Sequence, residues 1–478
     1  MDFYNPKKEE EEIMTGSKLF LQVRVLLMAL VMAALVAGIA FFTPRENFIL
    51  FIGQYLIVFA LFYALWLNRQ EWRFVHFFIL AIILRLILLF AAPELSNDFY
   101  RFLWDGELLT NGINPFQFTP NNALHQYISV DGVPQEIYSD RYLRMLYHGM
   151  GELSQEHYSC YPVLNQFFFV VAAFVSDNIM VNTIILKLFV ILADVGVIFI
   201  GRKIATHFGL SPHVIWLYAL NPFILLEFTG NVHFEGVMIF FFLVALLAVL
   251  KIQWGIGAIF LGLAIQVKLI PLMFIPFFFK KLKWRRSIGF TALTGFTVLA
   301  IGGILLNEVF FANMMQSVNE YFVRFQFNSG LYNFLVNFAL VDIGDSRFYV
   351  IGSVLSTMAG IGVLCLALFK AYRTDLDIIL GILFALLLYY GLATTVHPWY
   401  VSFLLNLSVF TNYKFPLIWS LLVMLSYSAY GAEGVAQNPI LLTAEYLLLY
   451  TVAFVEIKRN WKSDVVGLQV KSFFQEPK

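Results

Sequence analysis

The sequence predicts an all-α polytopic integral membrane protein. Hydrophobic residues make up 60% of the chain and aromatic residues 18%, whereas charged residues reach only 13%, about half the share usual in soluble domains. Many apolar runs approach the roughly 20 residues that a helix needs to cross a bilayer. The formal net charge is zero, so no basic field favours nucleic acid as a partner. The lipid bilayer is the partner that the composition indicates.

The first part of the chain divides into a polar tail and three spans. Residues 1–18 carry Lys and Glu blocks and are expected to form a cytoplasmic tail. Residues 19–92 contain three apolar runs that are expected to cross as transmembrane helices. Basic residues lie before the first run and between the second and third runs, and the positive-inside rule places both sites in the cytoplasm. Residues 93–160 then form a long exterior loop after the third helix.

The exterior loop opens with a charged stretch. If this stretch is helical, Asp98, Arg101 and Asp105 share one face, because they are spaced i, i+3 and i+7. Two carboxylates and a guanidinium against an apolar body are suited to acid–base catalysis. The residues alone leave an alternative open, in which an ion-paired helix merely keeps the loop folded. The helix is expected to end at Asn111-Gly112, a strong breaker pair.

The remainder alternates apolar runs with short polar joints. Residues 161–456 are expected to form a transmembrane bundle with a second exterior loop at 307–347, and residues 457–478 a cytoplasmic tail. The whole chain then has roughly 12 to 14 transmembrane helices.

Two segments leave the crossing count open. Residues 161–175 are short for a crossing and suit a re-entrant or interfacial segment. Residues 255–279 are expected to break near Lys268 and Pro271, where a lysine within apolar neighbours is followed by a proline.

Polar residues at the joints cost free energy where they lie within a membrane, so their default interpretation is functional. For Lys268 the alternative is a lysine that snorkels to the interface. For the aromatic joints the alternative is an ordinary interfacial belt. The candidate substrate-binding residues at these joints are His233, Glu235, Lys268, Asn328, His397, Trp399 and Tyr400.

No cofactor is predicted. His125, His148 and His157 of the exterior loop are scattered and include no i, i+4 pair, so their spacing does not support a metal site. A divalent metal ion is left open, without support from the spacing of candidate ligands.

At the exterior loop the sequence resembles a known family. The run D-x-x-R-x-x-W-D-G-x5-G-x-N-P, from Asp98 to Pro115, is similar to the first exterior loop of bacterial polyprenyl-phosphate-mannose-dependent mannosyltransferases. These enzymes belong to the GT-C superfamily, whose eukaryotic branch includes the first GPI mannosyltransferase. The similarity continues in order over residues 96–403, through the following positions: Tyr161-Pro162, Asn221-Pro222 with Glu227, residues 230–235, Gly262 with Lys268 and Pro271, Phe327-Asn328 with Leu331-Tyr332, and His397-Pro398-Trp399-Tyr400.

The resemblance implies a membrane glycosyltransferase. Such an enzyme moves a hexose, here mannose, from a polyprenyl-phosphate donor to a hydroxyl of a lipid-linked glycan or glycolipid acceptor. One carboxylate is enough as general base if the transfer inverts the anomeric centre. Asp98 is the candidate base, Arg101 would orient it or meet the phosphate, and Asp105 would hold acceptor hydroxyls. Lys268 and His397 would offset charge on the departing phosphate.

The implied location is the bacterial inner membrane, with the active site on the non-cytoplasmic side. Further substrate-binding candidates in the matching stretches are Trp104, Asn114 and Tyr161.

Two other functions stay open from the sequence. A lipid or sugar transporter or flippase also has broken helices and intramembrane charges. The chain shows no internal repeat at half-length, which favours the enzyme over the transporter. A catalytically idle GT-C relative that scaffolds a partner is the second alternative.

Overall fold

A computed structural model describes residues 6–130, 132–319, 325–337, 346–370, 372–431 and 434–466. These residues are overwhelmingly helical, which confirms the predicted all-α class. Parts of four predicted polar segments lie outside the described residues: 1–5 of the first tail, 131 of the loop 93–160, 320–324 and 338–345 of the loop 307–347, and 467–478 of the last tail.

Many of the helices are long and apolar enough to span a membrane. The chain begins with α1 (Pro6–Phe42) and α2 (Phe48–Leu67), which are both long enough, and the shorter α3 (Phe74–Leu89). Helical structure therefore already begins within the predicted polar tail. Among the described residues, six helices have the length and hydropathy of a membrane span, and a bent pair of helices counted as one span adds a seventh. Five shorter apolar helices accompany them. The chain is an integral membrane protein.

The loop after α3 is folded into short elements. They are α4 (Asp98–Thr110), α5 (Pro120–Ala123), β1 (Tyr127–Val130) paired antiparallel with β2 (Val133–Glu136), a 3-10 turn (Ile137–Ser139), α6 (Arg141–Met150) and α7 (Glu152–Glu156). Helix α4 ends where the sequence predicts, because Asn111 caps it and Gly112 takes the left-handed φ of 75°. Gly106 lets α4 approach the backbone of Phe169, and a Cβ at this position would clash there.

The rest of the chain forms the body of the bundle. Its elements are α8 (Val163–Ala173), α9 (Ile179–His207), α10 (Trp216–Ala219), α11 (Pro222–Ile224), a π-helix (Leu225–Gly230), α12 (Glu235–Leu250), α13 (Trp254–Val267), a 3-10 helix (Ile270–Phe278), α14 (Phe279–Gly302), α15 (Phe310–Asn319), α16 (Leu331–Asn337), α17 (Ser346–Phe369), α18 (Leu376–Leu392), α19 (Val401–Ser408), α20 (Phe415–Leu422), β3 (Tyr430–Gly431) paired with β4 (Gly434–Val435), and α21 (Pro439–Val466). Further 3-10 turns span Pro212–Ile215, Gly303–Leu305, Pro398–Tyr400 and Val423–Ala429.

The bundle contains the breaks that the sequence predicts. Helix α13 ends at Val267, and Lys268 is extended (φ −152°, ψ 140°) before the 3-10 helix begins. The predicted break near Lys268 and Pro271 is therefore confirmed. Helix α8, within the short segment 161–175, has only 11 residues. A further sharp bend of 111° separates Pro222–Gly230 from α12.

Charged groups inside the bundle are paired. The Nε of Arg85 donates to Asp194 Oδ2 over 2.7 Å, and the hydroxyl of Tyr218 donates to the other Asp194 oxygen over 2.8 Å. The Nζ of Lys187 donates to two carbonyls at the end of α3, over 2.8 and 2.6 Å. Buried charges persist only when their hydrogen bonds are satisfied in this way. These residues hold helices together.

Candidate active site

Four parts of the chain meet at the end of the bundle that carries α4, here called the α4 end. The backbone N–H of Leu95 donates to the side chain of Asn231 over 3.0 Å, which ties the start of α4 to the bend before α12. Lys268 at the end of α13 pairs with Glu235, the first residue of α12. The Nζ of Lys268 also lies 4.5 Å from the ring centre of Tyr400, which follows α18.

Asp98, Glu235 and Lys268 form what we call the charged cluster. Asp98 is the first residue of α4 and is partly buried. Burial is the largest cause that raises the pKa of Asp98 to about 6, while the charge of Lys268 lowers this pKa and that of Glu235 raises it. Asp98 is therefore mostly ionised at neutral pH and is a stronger base than an ordinary aspartate.

Lys268 keeps its cationic head accessible. Its side chain is 30% exposed, whereas that of Glu235 is 5% exposed. The extended backbone at the helix break aims the lysine away from α13 and toward the bend. An accessible cation beside a buried carboxylate can bind an anionic ligand without leaving an unpaired charge when the ligand departs.

A stack of rings, here called the aromatic column, lies next to the charged cluster. His233 stacks on Trp399 with ring centres 3.7 Å apart, Trp399 on His397 at 4.5 Å, and His397 on Phe327 at 5.1 Å. Backbone hydrogen bonds between Phe327 and the joint at 394–396 fix the far side of the stack. The column thereby joins three polar joints that the sequence predicts as functional.

His397 is neutral at physiological pH. Its burial, and secondarily the charge of Lys268, lower the pKa of His397 to about 3. Its Nδ1 is buried and has no hydrogen-bond partner among the described residues. His397 can therefore exchange a hydrogen bond with a ligand, but it does not supply the positive charge that the resemblance implied.

Glu227 is a buried carboxylate beside the column that the predicted site did not include. Its Oε1 accepts a hydrogen bond of 2.8 Å from the hydroxyl of Tyr427, and its Oε2 lies 3.4 Å from Nε2 of His233. The π-helix that carries Glu227 is an uncommon element that often occurs at functional sites. A glutamate within an apolar run was the available signal, since intramembrane carboxylates are functional by default.

Arg101 and Asp105 are bonded to each other and to the later part of the loop that follows α3. The Nε of Arg101 donates to Asp105 over 2.7 Å, and its Nη1 donates to the carbonyls of Ser154 and His157. Asp105 also accepts hydrogen bonds from Ser159 and Gln166. Both side chains are buried. This is the arrangement of the alternative interpretation, in which an ion pair keeps the loop folded.

Four predicted substrate-binding residues lie outside the charged cluster and the aromatic column and make contacts within the protein. Trp104 is fully buried, and its ring packs against that of Tyr147. Asn114 donates to the carbonyl of Leu305 over 2.8 Å, and Tyr161 packs edge-on against Phe102. Asn328, in a left-handed conformation (φ 46°), donates to Glu445 over 3.1 Å, which anchors the loop carrying Phe327.

The structure thus brings seven predicted residues together and leaves the others in supporting positions. The seven are Asp98, His233, Glu235, Lys268, His397, Trp399 and Tyr400. Among the described residues, no group of three or more His, Cys, Asp or Glu side chains is arranged to hold a metal ion.

Comparison with known proteins gives a family match over the first part of the chain. Residues 24–282, just over half of the chain, match the family model described as "Alpha-(1->6)-mannopyranosyltransferase, N-terminal domain". The matched range contains Asp98, Glu235 and Lys268 and ends before the joint that carries His397.

Two curated relatives carry the same name, "Alpha-(1->6)-mannopyranosyltransferase A". The chain is 25% identical to the one from Corynebacterium glutamicum over 194 residues, which are 40% of this chain and 35% of that protein. It is 24% identical to the one from Mycobacterium tuberculosis over 230 residues, 47% of this chain and 41% of that protein. The chain therefore spans less than half the length of these relatives. No solved structure matches the chain at a significant level.

Proposed function

Because the chain belongs to the alpha-(1->6)-mannopyranosyltransferase family, we propose that it is a membrane mannosyltransferase. The donor is a polyprenyl-phosphate mannose, and the acceptor is the 6-hydroxyl of a mannose in a lipid-linked or free glycan. The observation that carries this proposal is the charged cluster, which sets a partly buried base beside an accessible cation at the α4 end.

Asp98 is the general base of the transfer. Its carboxylate takes the proton of the acceptor hydroxyl while the hydroxyl oxygen bonds to the anomeric carbon of mannose. The bond between that carbon and the donor phosphate oxygen breaks, and the polyprenyl phosphate leaves with the electron pair. No second carboxylate needs to attack the sugar, so the displacement inverts the anomeric centre.

Lys268 binds the donor phosphate. The ammonium faces outward from Glu235 and lies against the ring of Tyr400, so a phosphate can join the pair on its open side. Leu269 and Leu272, just beyond Lys268, are 37% and 52% exposed. A prenyl chain whose phosphate meets Lys268 would then lie against apolar side chains within the bilayer.

The aromatic column forms the wall against which the mannose ring rests. Trp399 lies between His233 and His397, so both of its faces are covered, and His397 offers its Nδ1 beside Lys268 to a hydroxyl of the sugar. Glu227 lies against the edge of His233, which stacks on Trp399. Arg101 and Asp105 position α4, and hence Asp98, through their bonds to the exterior loop.

The proposed location is the bacterial inner membrane with the α4 end on the non-cytoplasmic side. Support comes from the other end of the bundle, where basic joints lie together. Arg202 packs over Phe74, next to the basic joint between α2 and α3, and Lys281 and His207 both pair with Asp375. Positive residues concentrate on the cytoplasmic side of membrane proteins.

The proposal is tested with purified protein in lipid nanodiscs, radiolabelled polyprenyl-phosphate mannose and an α-1,6-mannose oligosaccharide. We expect label to enter the oligosaccharide in an α-1,6 linkage. An inverting enzyme that makes an α linkage requires the β-linked donor, so the α-linked donor should not be used. If neither donor is consumed but the protein moves the donor across the membrane of a reconstituted vesicle, the protein is a flippase instead. Neither transfer nor movement would identify an idle relative.

Lys268→Ala is expected to raise the donor KM about 10- to 100-fold, since a hydrogen-bonded charge is lost. Lys268→Arg should retain part of the donor affinity. Because Lys268 lowers the pKa of Asp98, the Ala variant should also move the acid limb of kcat/KM from near pH 6 to higher pH. Initial rates between pH 4.5 and 8 measure both effects.

The matched control for this substitution is Lys251→Ala. Lys251 is an exposed lysine that follows α12, at the opposite end of that helix from Glu235. Its replacement should leave donor saturation and the pH profile unchanged. Unaltered donor saturation in Lys268→Ala would instead assign Lys268 to snorkelling.

A further inference from the structure

Three basic joints, at the end of α9, at the start of α14 and between α17 and α18, meet around one carboxylate at the end of the bundle opposite α4. The Oδ2 of Asp375 lies 3.2 Å from Nε2 of His207, and its Oδ1 lies 2.6 Å from Nζ of Lys281. These contacts join residues 202–207, 280–286, 370 and 372–377 into one surface, which we call the basic end. Helix α9 separates it from the α4 end by its full 29 residues, or about 43 Å.

The basic end carries far more positive than negative charge. Its three joints contain nine Lys and Arg residues but only two carboxylates, Asp375 and Asp377. Asp377 is already bonded by Lys370 and by backbone N–H groups of its own turn. The remaining cations therefore outnumber the acids of the surface. Those exposed in the central joint are Lys280, Lys283, Arg285 and Arg286.

The same joint has features of a membrane boundary. Trp284 is 69% exposed, and Ile288, one turn further along the same face of α14, is 62% exposed. Tryptophan is enriched where hydrocarbon meets the headgroup layer. Lys283 has a positive φ of 59°, which kinks α14 within the basic run. A strained backbone of this kind in a non-glycine residue is maintained when the surrounding structure requires it.

We infer that the basic end is a binding surface for the headgroups of anionic phospholipids. The phosphates would lie among Lys280, Lys283, Arg285 and Arg286, with Trp284 at the level of the headgroups and Ile288 against the acyl chains. Clusters of four or more basic residues beside a membrane helix bind anionic lipids with about fivefold affinity per residue. This surface lies apart from the charged cluster, so the inference does not depend on the proposed transferase activity.

The inference is tested on purified full-length protein in uncharged detergent. The protein is titrated with phosphatidylglycerol or with phosphatidylcholine, and bound lipids are counted by native mass spectrometry. We expect phosphatidylglycerol to bind and phosphatidylcholine to bind much more weakly. Arg285→Gln with Arg286→Gln should weaken phosphatidylglycerol binding about 25-fold, at about fivefold for each charge. Lys280→Gln with Lys283→Gln should give a similar loss.

The matched control removes two exposed arginines from the α4 end. Arg141→Gln with Arg144→Gln changes the net charge by the same amount and should leave lipid binding unchanged. Equal losses in this control and in the variants of the basic end would overturn the inference, as would unchanged binding in both of those variants. Displacement of the lipid by millimolar inorganic phosphate would overturn it too, because the surface would then be a site for free anions.

Discussion

Replacing Asp98 with asparagine is expected to lower turnover about 10²- to 10⁴-fold, the usual contribution of a positioned general base. Asparagine keeps the size of the side chain and much of its hydrogen bonding, but it cannot take the proton of the acceptor hydroxyl. Donor binding depends on Lys268 and should change little. Initial rates with radiolabelled donor at saturating acceptor, together with the donor KM, separate the two effects.

The same substitution is not expected to destabilise the protein. Burial raises the pKa of Asp98 from its ordinary value of 3.8 to about 6, so the folded protein favours the neutral carboxyl group. The stability that this group contributes is fully present below pH 3.8 and is lost as the pH rises through 6. At pH 7 the neutral amide removes a charge that burial disfavours, so the Tm of Asp98→Asn should equal or exceed that of the wild type.

Glu94→Gln is the matched control for Asp98→Asn. Glu94 is an exposed carboxylate four residues before Asp98 in the same loop. Its loss should alter neither turnover nor Tm. A well-folded Asp98→Asn enzyme with near-normal turnover would remove Asp98 from the mechanism and would make Glu235 the next candidate for the base.

Several parts of the site were predictable because their structure depends on residues that are adjacent in the sequence. A lysine and a proline inside an apolar run predict a broken helix, and α13 ends just before Lys268. Asn111-Gly112 predicts the end of α4, and the left-handed glycine is present. The ordered motif series predicts the family, which the match over residues 24–282 confirms.

The partners of buried side chains were not predictable, because they depend on distant parts of the chain. Glu227 bonds to Tyr427, 200 residues away, and Arg85 bonds to Asp194, 109 residues away. Even within α4 the spacing was ambiguous. Arg101 is close enough along the helix to pair with Asp98 at i−3 or with Asp105 at i+4. The tertiary contacts of Arg101 and Asp105 with residues 154–166 accompany the pairing with Asp105.

That selection leads to the contrasting prediction for Asp105→Asn, which is expected to destabilise the protein by about 3–5 kcal/mol. Asp105 neutralises a buried guanidinium, and its removal leaves the charge of Arg101 without a carboxylate. The hydrogen bonds from Ser159 and Gln166 lose the same acceptor charge. Thermal unfolding followed by fluorescence-detected size exclusion should show a lower Tm than in either the wild type or Asp98→Asn.

A double-mutant cycle separates this ion pair from a direct part in the chemistry. Replacing both members of a buried pair with apolar residues removes the unpaired charge, so Arg101→Met with Asp105→Leu should cost less than the sum of the two single changes. Activity should fall in proportion to the folded fraction, because α4 positions Asp98 only when the loop that follows α3 is packed. An Asp105→Asn protein with the wild-type Tm and a raised acceptor KM would show the opposite, that Asp105 holds acceptor hydroxyls as the family resemblance implied.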